Sequence, residues 1–212
     1  PAAGWHTRVV AGSLGGPAEP GNARAFFGAG VDLVAVPYDR AVTAPVPVMA
    51  SPPMHPSFED RPGAPDPVAA GLDAAAAEHL ATEWTRILGA PGVLAGVEVA
   101  HLHHLTPLHE AMGRLRPGLP VVTHVHGTEL LMLDEAARGA PWPHAAWWRE
   151  RMRGWAAGST RVIASSGPAA REAERVLGLD PARVVVVPNG IDLSVFAPRR
   201  AGAREREALF RR

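Results

Sequence analysis

Two groups of histidines stand where their side chains could do chemistry. The first group lies within His101–His104, and the second lies within His124–Glu129. Each follows a short apolar run of the kind that forms a β-strand. Because side chains alternate along a strand, we expect His101 and His103 on one face, with His104 on the other face or in the following loop.

Imidazole nitrogens bind metal ions, and they also form hydrogen bonds with sugar hydroxyls and phosphate oxygens. No carboxylate or cysteine stands at a convincing spacing for a third metal ligand, so we predict no metal site and favour recognition of a hydroxylated, phosphorylated substrate. The alternative is that histidines at strand ends are satisfied by backbone carbonyls, which we prefer for His101, His109 and His124. His126 lies beside a glycine and a helix start, and there we favour a functional role.

The residues after His126 predict how the chain turns at this point. Gly127 permits a tight turn and a close approach of a ligand to the backbone. Thr128 is predicted as the N-cap of the next helix, which would leave amide donors of the first turn pointing towards a ligand.

The elements that must position these groups alternate regularly in the second half of the chain. Strands are predicted at Val97–Leu102, Val121–Val125, Arg161–Ala164 and Arg183–Val187, and helices at Pro107–Leu115, Glu129–Ala137, Trp142–Ala157 and Gly167–Leu177. Near-continuous apolar strands, such as the four valines 184–187, are typical of parallel sheets covered on both faces. The pattern predicts an α/β fold with a doubly wound parallel sheet, which binds ligands beyond the carboxyl ends of its strands.

The first half of the chain is less regular. Strands are predicted at Thr7–Ala11 and Val31–Val36, and the proline-dense segment from 40 to 70 predicts a long ordered loop or lid. Asp73 is predicted to cap a helix that runs to about Leu88. The apolar stripe of that helix consists of Leu80, Trp84, Ile87 and Leu88.

Two later helices each allow a functional and a structural interpretation. Ser166 is predicted as an N-cap, because a proline follows it close to the first helical turn. The alternative, a serine hydrolase, is disfavoured because the G-x-S-x-G pattern is absent around this serine. The helix 142–157 carries Trp148, Met152 and Trp155 on one stripe, with arginines between them. We favour a core face for this stripe, and contact with an anionic membrane surface is the alternative.

The composition excludes several classes of function. The 212 residues contain 21 basic and 21 acidic side chains, which argues against a general nucleic-acid binder. The chain has no cysteine, so disulfides and thiolate metal sites are excluded and a cytoplasmic location is expected. It also has no lysine, which excludes a lysine nucleophile and a Walker-type P-loop in these residues. No apolar run approaches the length needed to cross a bilayer.

The stretch from Arg183 to Pro198, with Val187-Pro188-Asn189-Gly190-Ile191-Asp192 at its centre, resembles the interdomain signature of family-four, GT-B-type retaining glycosyltransferases. The strand ends at His101–His104 and His126–Glu129 agree with that family, and the resemblance covers about Thr7 to Pro198. It implies that residues 1–187 form the N-terminal, acceptor-side Rossmann-like domain, with 40–70 as an insertion. Residues 188–212 would then hold the interdomain hinge and the start of a donor domain.

The resemblance also implies an activity and a set of site residues. The activity is transfer of a sugar from a nucleotide-diphosphate donor to an acceptor with retention of anomeric configuration, and without an obligatory metal or other cofactor. His126 matches the catalytic-site histidine that faces the transferring sugar, where it forms hydrogen bonds and does not abstract a proton. The implied acceptor-binding residues are His103, His104, Thr128 and Glu129, and the implied hinge residues are Asn189 and Gly190.

The same resemblance sets expectations about the partners and the ends of the chain. The family's first strand is expected before Pro1 and its donor domain after Arg212, so the fragment alone is expected to be inactive. The acceptor could be a small molecule, a glycan or a lipid-linked molecule, and a peripheral contact with the inner face of a membrane stays open. A non-catalytic sugar- or nucleotide-binding α/β module is the main alternative, and a metal-dependent hydrolase built on the histidine pairs is a weaker one.

Overall fold

A computed structural model of the protein describes residues 4–61, 63–64 and 66–193. The strands are β1 (Arg8–Ser13), β2 (Asp32–Pro37), β3 (Ala100–His103), β4 (Val121–His124), β5 (Arg161–Ala164) and β6 (Val184–Val186). The helices are α1 (Ala23–Phe27), α2 (Asp39–Val42), α3 (Ala74–Leu88), α4 (Leu108–Leu115), α5 (Gly127–Ala137), α6 (Ala145–Gly158) and α7 (Gly167–Leu177). Strands and helices alternate along the chain, which confirms the predicted α/β class.

The strands pair in parallel, as predicted, and they divide into two sheets. β1 pairs with β2 in a two-stranded sheet, and the four-stranded sheet has the order β3-β4-β5-β6. A cavity of about 1040 Å³ lies between β1 and β3, lined by both strands and by the residues before β3. Arg8 crosses from the smaller sheet at one end, where its Nη1 donates to the Val93 carbonyl at 3.0 Å and its Nε donates to Asp32 at 2.8 Å.

Strand β3 begins at Ala100, later than the Val97 that the apolar pattern predicts. The Ala100 N–H donates to the Pro120 carbonyl at 2.9 Å, directly before β4 begins. The chain before Pro120 is a turn with Gly118 at a φ of 88°, so residues 97–99 have no strand on the β4 side to pair with. The apolar pattern alone therefore predicted the start of this strand too early in the chain.

Strand β6 lies at one edge of the four-stranded sheet that the described residues form, and its exposure corrects a prediction. Val184 packs against the core, whereas Val185 and Val186 are 40% and 44% exposed. An edge strand has a sheet neighbour on one side only. The expectation that 184–187 is covered on both faces is therefore wrong for the described part of the chain.

Helices α3 and α7 begin and end where the sequence predicts. Asp73 caps α3 by accepting from the Ala76 N–H at 2.9 Å, and Ser166 caps α7 by accepting from the Ala169 N–H at 3.3 Å. The apolar stripe of α3 faces the core, with Leu80, Trp84 and Leu88 buried and Ile87 half-buried. Both N-cap predictions are confirmed. An N-cap can be predicted from sequence because it depends on residues close together in the chain.

Helix α6 carries the tryptophan stripe, and the structure buries it. Trp148, Met152 and Trp155 are at most 9% exposed, and the Trp148 indole N–H donates to the Leu72 carbonyl at 2.7 Å. The core interpretation is confirmed, and this stripe is not available to a membrane. Within the described residues, no helix combines the length and apolar character that crossing a bilayer requires. A peripheral membrane contact elsewhere on the protein stays a prediction.

The proline-rich segment 40–70 is an ordered loop, as predicted. It contains short 3₁₀ turns at Pro47–Met49 and Ala69–Gly71. Ser57 ties the middle of the segment to its C-terminal end, because the Ser57 N–H donates to the Pro67 carbonyl at 2.9 Å and the Ser57 carbonyl accepts from the Ala69 N–H at 2.8 Å. These bonds hold the middle of the loop, which carries His55 and Phe58, in one place.

Candidate functional site

Strands β3 and β4 end side by side, and their register brings the two histidine groups together. His103 is paired with His124 across the strands. The ring centroid of His103 lies 4.7 Å from that of His101 and 5.2 Å from that of His124. Ala100 and Leu102 are buried while His101 and His103 are exposed, because alternate side chains of β3 point to opposite faces. The two histidine groups therefore lie side by side at the carboxyl edge of the sheet, which is the edge where the predicted α/β fold binds ligands.

His126 follows β4 and joins this histidine face. Its Nε2 lies 3.1 Å from Nδ1 of His103, and its ring centroid lies 4.6 Å from that of His124. At the 3.1 Å contact one imidazole carries the hydrogen and the other accepts it. His126, the predicted catalytic-site residue, and His103, a predicted acceptor-binding residue, are thus hydrogen-bonded to each other.

Partial desolvation and the crowding of the rings keep these imidazoles neutral, although His103 retains an exposed surface. Burial first, and then the neighbouring His104, lowers the pKa of His126 below its ordinary value. Burial and the surrounding histidines lower the pKa of His103 to about 4. At pH 7 each ring therefore offers one N–H donor and one nitrogen acceptor, which suits hydroxyl groups that need both.

His104 lies in the loop that follows β3, as the sequence allows, and its ring centroid lies 4.3 Å from that of His126. It is a non-glycine residue with a φ of 61°, a left-handed conformation that costs about 1 kcal/mol or more. Its N–H donates to the His124 carbonyl at 2.9 Å, and its Nδ1 lies 3.0 Å from Oε2 of Glu129. These contacts hold the strained residue in place and aim its ring at Glu129.

Glu129 is the buried carboxylate that organises the two strand ends. Its side chain is fully buried, with 0% exposure. Oε1 accepts from the His126 N–H at 2.7 Å, and Oε2 lies 3.0 Å from His104 Nδ1. A buried carboxylate is stable only when hydrogen-bonded in this way. Glu129 positions both histidines, and a direct contact of its carboxylate with an acceptor stays a prediction.

The start of α5 corrects the predicted N-cap. The helix begins at Gly127, so its N-cap is His126, and Thr128 lies inside the first turn. Glu129, at the third helical position, accepts from the N–H of the N-cap residue, as the acidic member of a capping box does. Threonine is a common N-cap residue, but the buried glutamate fixes the start two residues earlier than predicted. Thr128 is half-buried, and its role at an acceptor pocket stays a prediction.

Sequence reasoning missed two aromatic residues that the loop 40–70 brings to the site. The Phe58 ring stacks on His104 with centroids 5.1 Å apart, and the His55 ring lies 6.5 Å from His104. Burial lowers the pKa of His55 to about 4, so this imidazole is also neutral at pH 7. The available signal was a pair of aromatic residues in an otherwise proline-rich, aperiodic segment.

A cavity of about 470 Å³ opens beside His103 and His104, with Gly12, Tyr38 and His55 also in its lining. A Cβ added at Gly12 would stand 2.3 Å from a ring carbon of Tyr38, so glycine is required for the ring to lie there. Burial raises the pKa of Tyr38 to about 12, and its protonated hydroxyl can donate to a ligand. The volume is within the range of small-molecule pockets.

His109 and His124 were both expected to be hydrogen-bonded to backbone carbonyls, and only His109 is bonded in this way among the described residues. His109 is satisfied as expected, with Nδ1 at 2.9 Å from the Thr106 carbonyl and Nε2 at 2.8 Å from the Thr123 hydroxyl. The same expectation is wrong for His124, whose Nε2 is buried without a hydrogen-bond partner among the described residues. The stacked His101 ring lies 5.9 Å from the His124 ring. A backbone partner thus explains His109 but does not explain the buried nitrogen of His124.

The predicted hinge lies at the end of the described chain. Asn189 and Gly190 are exposed and follow β6. The rest of the signature, 194–198, and the expected start of a donor domain lie outside the described residues, so the hinge stays a prediction.

Comparison with known protein families supplies the identity of the fold. The profile of the family described as Glycosyltransferase Family 4 matches residues 1–195. A comparison with curated proteins finds none that matches. The family match includes both histidine strand ends, the loop 40–70 and the segment of Asn189 and Gly190. The chain therefore belongs to glycosyltransferase family 4.

Proposed function

We propose that this protein transfers a sugar from a nucleotide-diphosphate donor to an acceptor with retention of anomeric configuration, and that residues 1–187 supply the acceptor side. Membership of the family supports a glycosyltransferase-type activity, and it is the observation that carries the proposal. The neutral imidazoles at the ends of β3 and β4 support the placement of the acceptor side. Neither a metal nor another cofactor is required for this transfer.

His126 is assigned the role closest to the reacting sugar. Its lowered pKa makes it a weak base at neutral pH, which supports hydrogen bonding to a substrate oxygen over proton abstraction. Its position is held on one side by the His103 ring and on the other by the Glu129 carboxylate bound to its N–H. Such fixed donors act strongly when they match the charge of the transition state.

His103 and His104 are assigned to the acceptor. Both line the cavity of about 470 Å³, where His55 and Tyr38 add further polar atoms. Glu129 is not assigned as a nucleophile, because it is fully buried and already bonded to His104 and His126. Thr128 and Glu129 support the pocket from the first turn of α5.

The experiment is an assay of the full-length protein with a panel of nucleotide-diphosphate sugars, in buffer containing EDTA. We expect release of nucleoside diphosphate and a product whose anomeric configuration, read by NMR, is that of the donor. His126→Ala should lower kcat by about 100-fold or more, as removal of a transition-state hydrogen-bond donor does. The control His144→Ala, which changes a histidine at the start of α6, should keep full activity.

Two results would oppose the proposal. Inversion of configuration would reject the retaining mechanism. Saturable binding of a sugar nucleotide, with neither transfer to an acceptor nor hydrolysis, would favour the non-catalytic binding module.

A further inference from the structure

We propose that His101, His103 and His124 form a binding site for a divalent transition-metal ion of the zinc class. One nitrogen of each ring can be chosen so that all three atoms lie within 4.8 Å of one another. The sequence offers no carboxylate or cysteine as a third ligand, but the strand register supplies a third imidazole, because His124 lies opposite His103 on the neighbouring strand. The inference does not depend on the proposed function, since it concerns the protein without substrate.

The required movement is small. A zinc ion with nitrogen ligands at about 2.0–2.1 Å in tetrahedral geometry separates those nitrogens by about 3.4 Å. From a spacing of at most 4.8 Å, the imidazole nitrogens therefore need to approach one another by no more than about 1.4 Å. His101 and His103 are exposed, so rotation of their side chains can supply this movement while the strands stay in register.

The buried nitrogen of His124 is an independent observation that points to a ligand. Its Nε2 has no hydrogen-bond partner among the described residues, and an unpaired buried polar atom costs about 1–3 kcal/mol. A metal ion bound by His101, His103 and His124 would give His124 a contact that the described residues do not provide. His101 and His103 also line both cavities described above, which gives an ion a path from solvent.

The donor set determines the class of ion. Imidazole nitrogens suit Zn²⁺, Cu²⁺ and Ni²⁺, whereas Mg²⁺ and Ca²⁺ prefer oxygen ligands. The three side chains that can reach one ion are all imidazoles, and no carboxylate is a member of the group. The Glu129 carboxylate is buried and already bonded to His104 and His126. The expected selectivity is therefore for zinc over magnesium.

The test is calorimetric titration of tag-free, EDTA-dialysed protein with ZnCl₂ and, separately, with MgCl₂. We expect one zinc ion per chain and no saturable heat from magnesium. His101→Ala should weaken zinc binding by at least about tenfold, because even loss of a group that only orients a ligand costs that much. His144→Ala is the matched control, since its histidine lies outside the cluster, and it should bind zinc like the unaltered protein.

His101→Ala is the deciding variant, because an exposed strand residue can be replaced without opening the core, and circular dichroism verifies its fold. His124→Ala provides a second variant on the other strand and should show the same loss. Substoichiometric zinc uptake by the unaltered protein would overturn the proposal. Zinc binding of equal affinity in His101→Ala would overturn it as well, because the ion would then be bound elsewhere.

Discussion

Replacing Glu129 by glutamine should lower the free energy of unfolding by about 1.5–3 kcal/mol at pH 7. Glutamine keeps the size of the side chain and one carbonyl oxygen for the His126 N–H, which now donates to Oε1 at 2.7 Å. It replaces Oε2, 3.0 Å from His104 Nδ1, by an amide group that cannot accept. The expected loss is that of one hydrogen bond to a charged group, and it falls on a residue already strained at a φ of 61°.

Glu129→Ala should cost more, about 3–5 kcal/mol, because it also leaves the His126 N–H without its partner and opens a cavity. The measurement is urea unfolding followed by tryptophan fluorescence, since Trp148 and Trp155 are buried and report on the core. Far-UV circular dichroism on the same samples tests whether the transition is two-state.

Glu150→Gln is the matched control for this series. It makes the same chemical change on α6 at a side chain that is 68% exposed and lies 3.4 Å from Arg153. A solvent-exposed ion pair contributes little, so we expect a change within about 0.5 kcal/mol. Equal midpoints for Glu129→Gln and Glu150→Gln would refute the conclusion that the buried carboxylate organises the two strand ends.

Three further predictions concern the surrounding structure. Burial lowers the pKa of His109 from its ordinary 6.5 to about 4, so the folded chain binds fewer protons than the unfolded chain between these values. The free energy of unfolding of the protein should therefore fall by up to about 3 kcal/mol as the pH drops through that window. In His109→Gln, the free energy of unfolding measured with urea should depend less on pH over the same range. Trp148→Phe removes the donor to the Leu72 carbonyl and should cost about 1–3 kcal/mol in urea unfolding; a cost near zero would show that water replaces the indole. Ser166→Ala removes the N-cap of α7 and should cost about 1 kcal/mol, whereas a loss equal to that of Ser165→Ala would argue against capping.

Several boundaries could not be read from the pattern of residue types. The run Val97–Val99 is as apolar as a strand, but it lacks a paired strand on the β4 side, because the chain before Pro120 is a turn. Val185 and Val186 look like core residues and lie on an exposed edge. In both cases the deciding factor is which distant segment lies alongside, and that is a property of the packed chain.

The contribution of the loop 40–70 to the site was also out of reach of sequence reasoning. Proline-rich segments lack a period, so their side chains cannot be assigned to a face. The loop is held by the bonds of Ser57 to Pro67 and Ala69, and these bring Phe58 onto the His104 ring. Only those tertiary contacts show that the loop belongs to the site.

The amino-acid sequence by itself determined the alternation of strands and helices, the N-caps at Asp73 and Ser166, and the two histidine-bearing strand ends. These features depend on neighbours within a few residues, where periodicity and capping act. The tertiary structure alone decided that His124 lies opposite His103, and that Glu129 is buried between His104 and His126. Strand register and side-chain burial are set by contacts between segments far apart in the chain, and the local pattern of residues does not encode those contacts one by one.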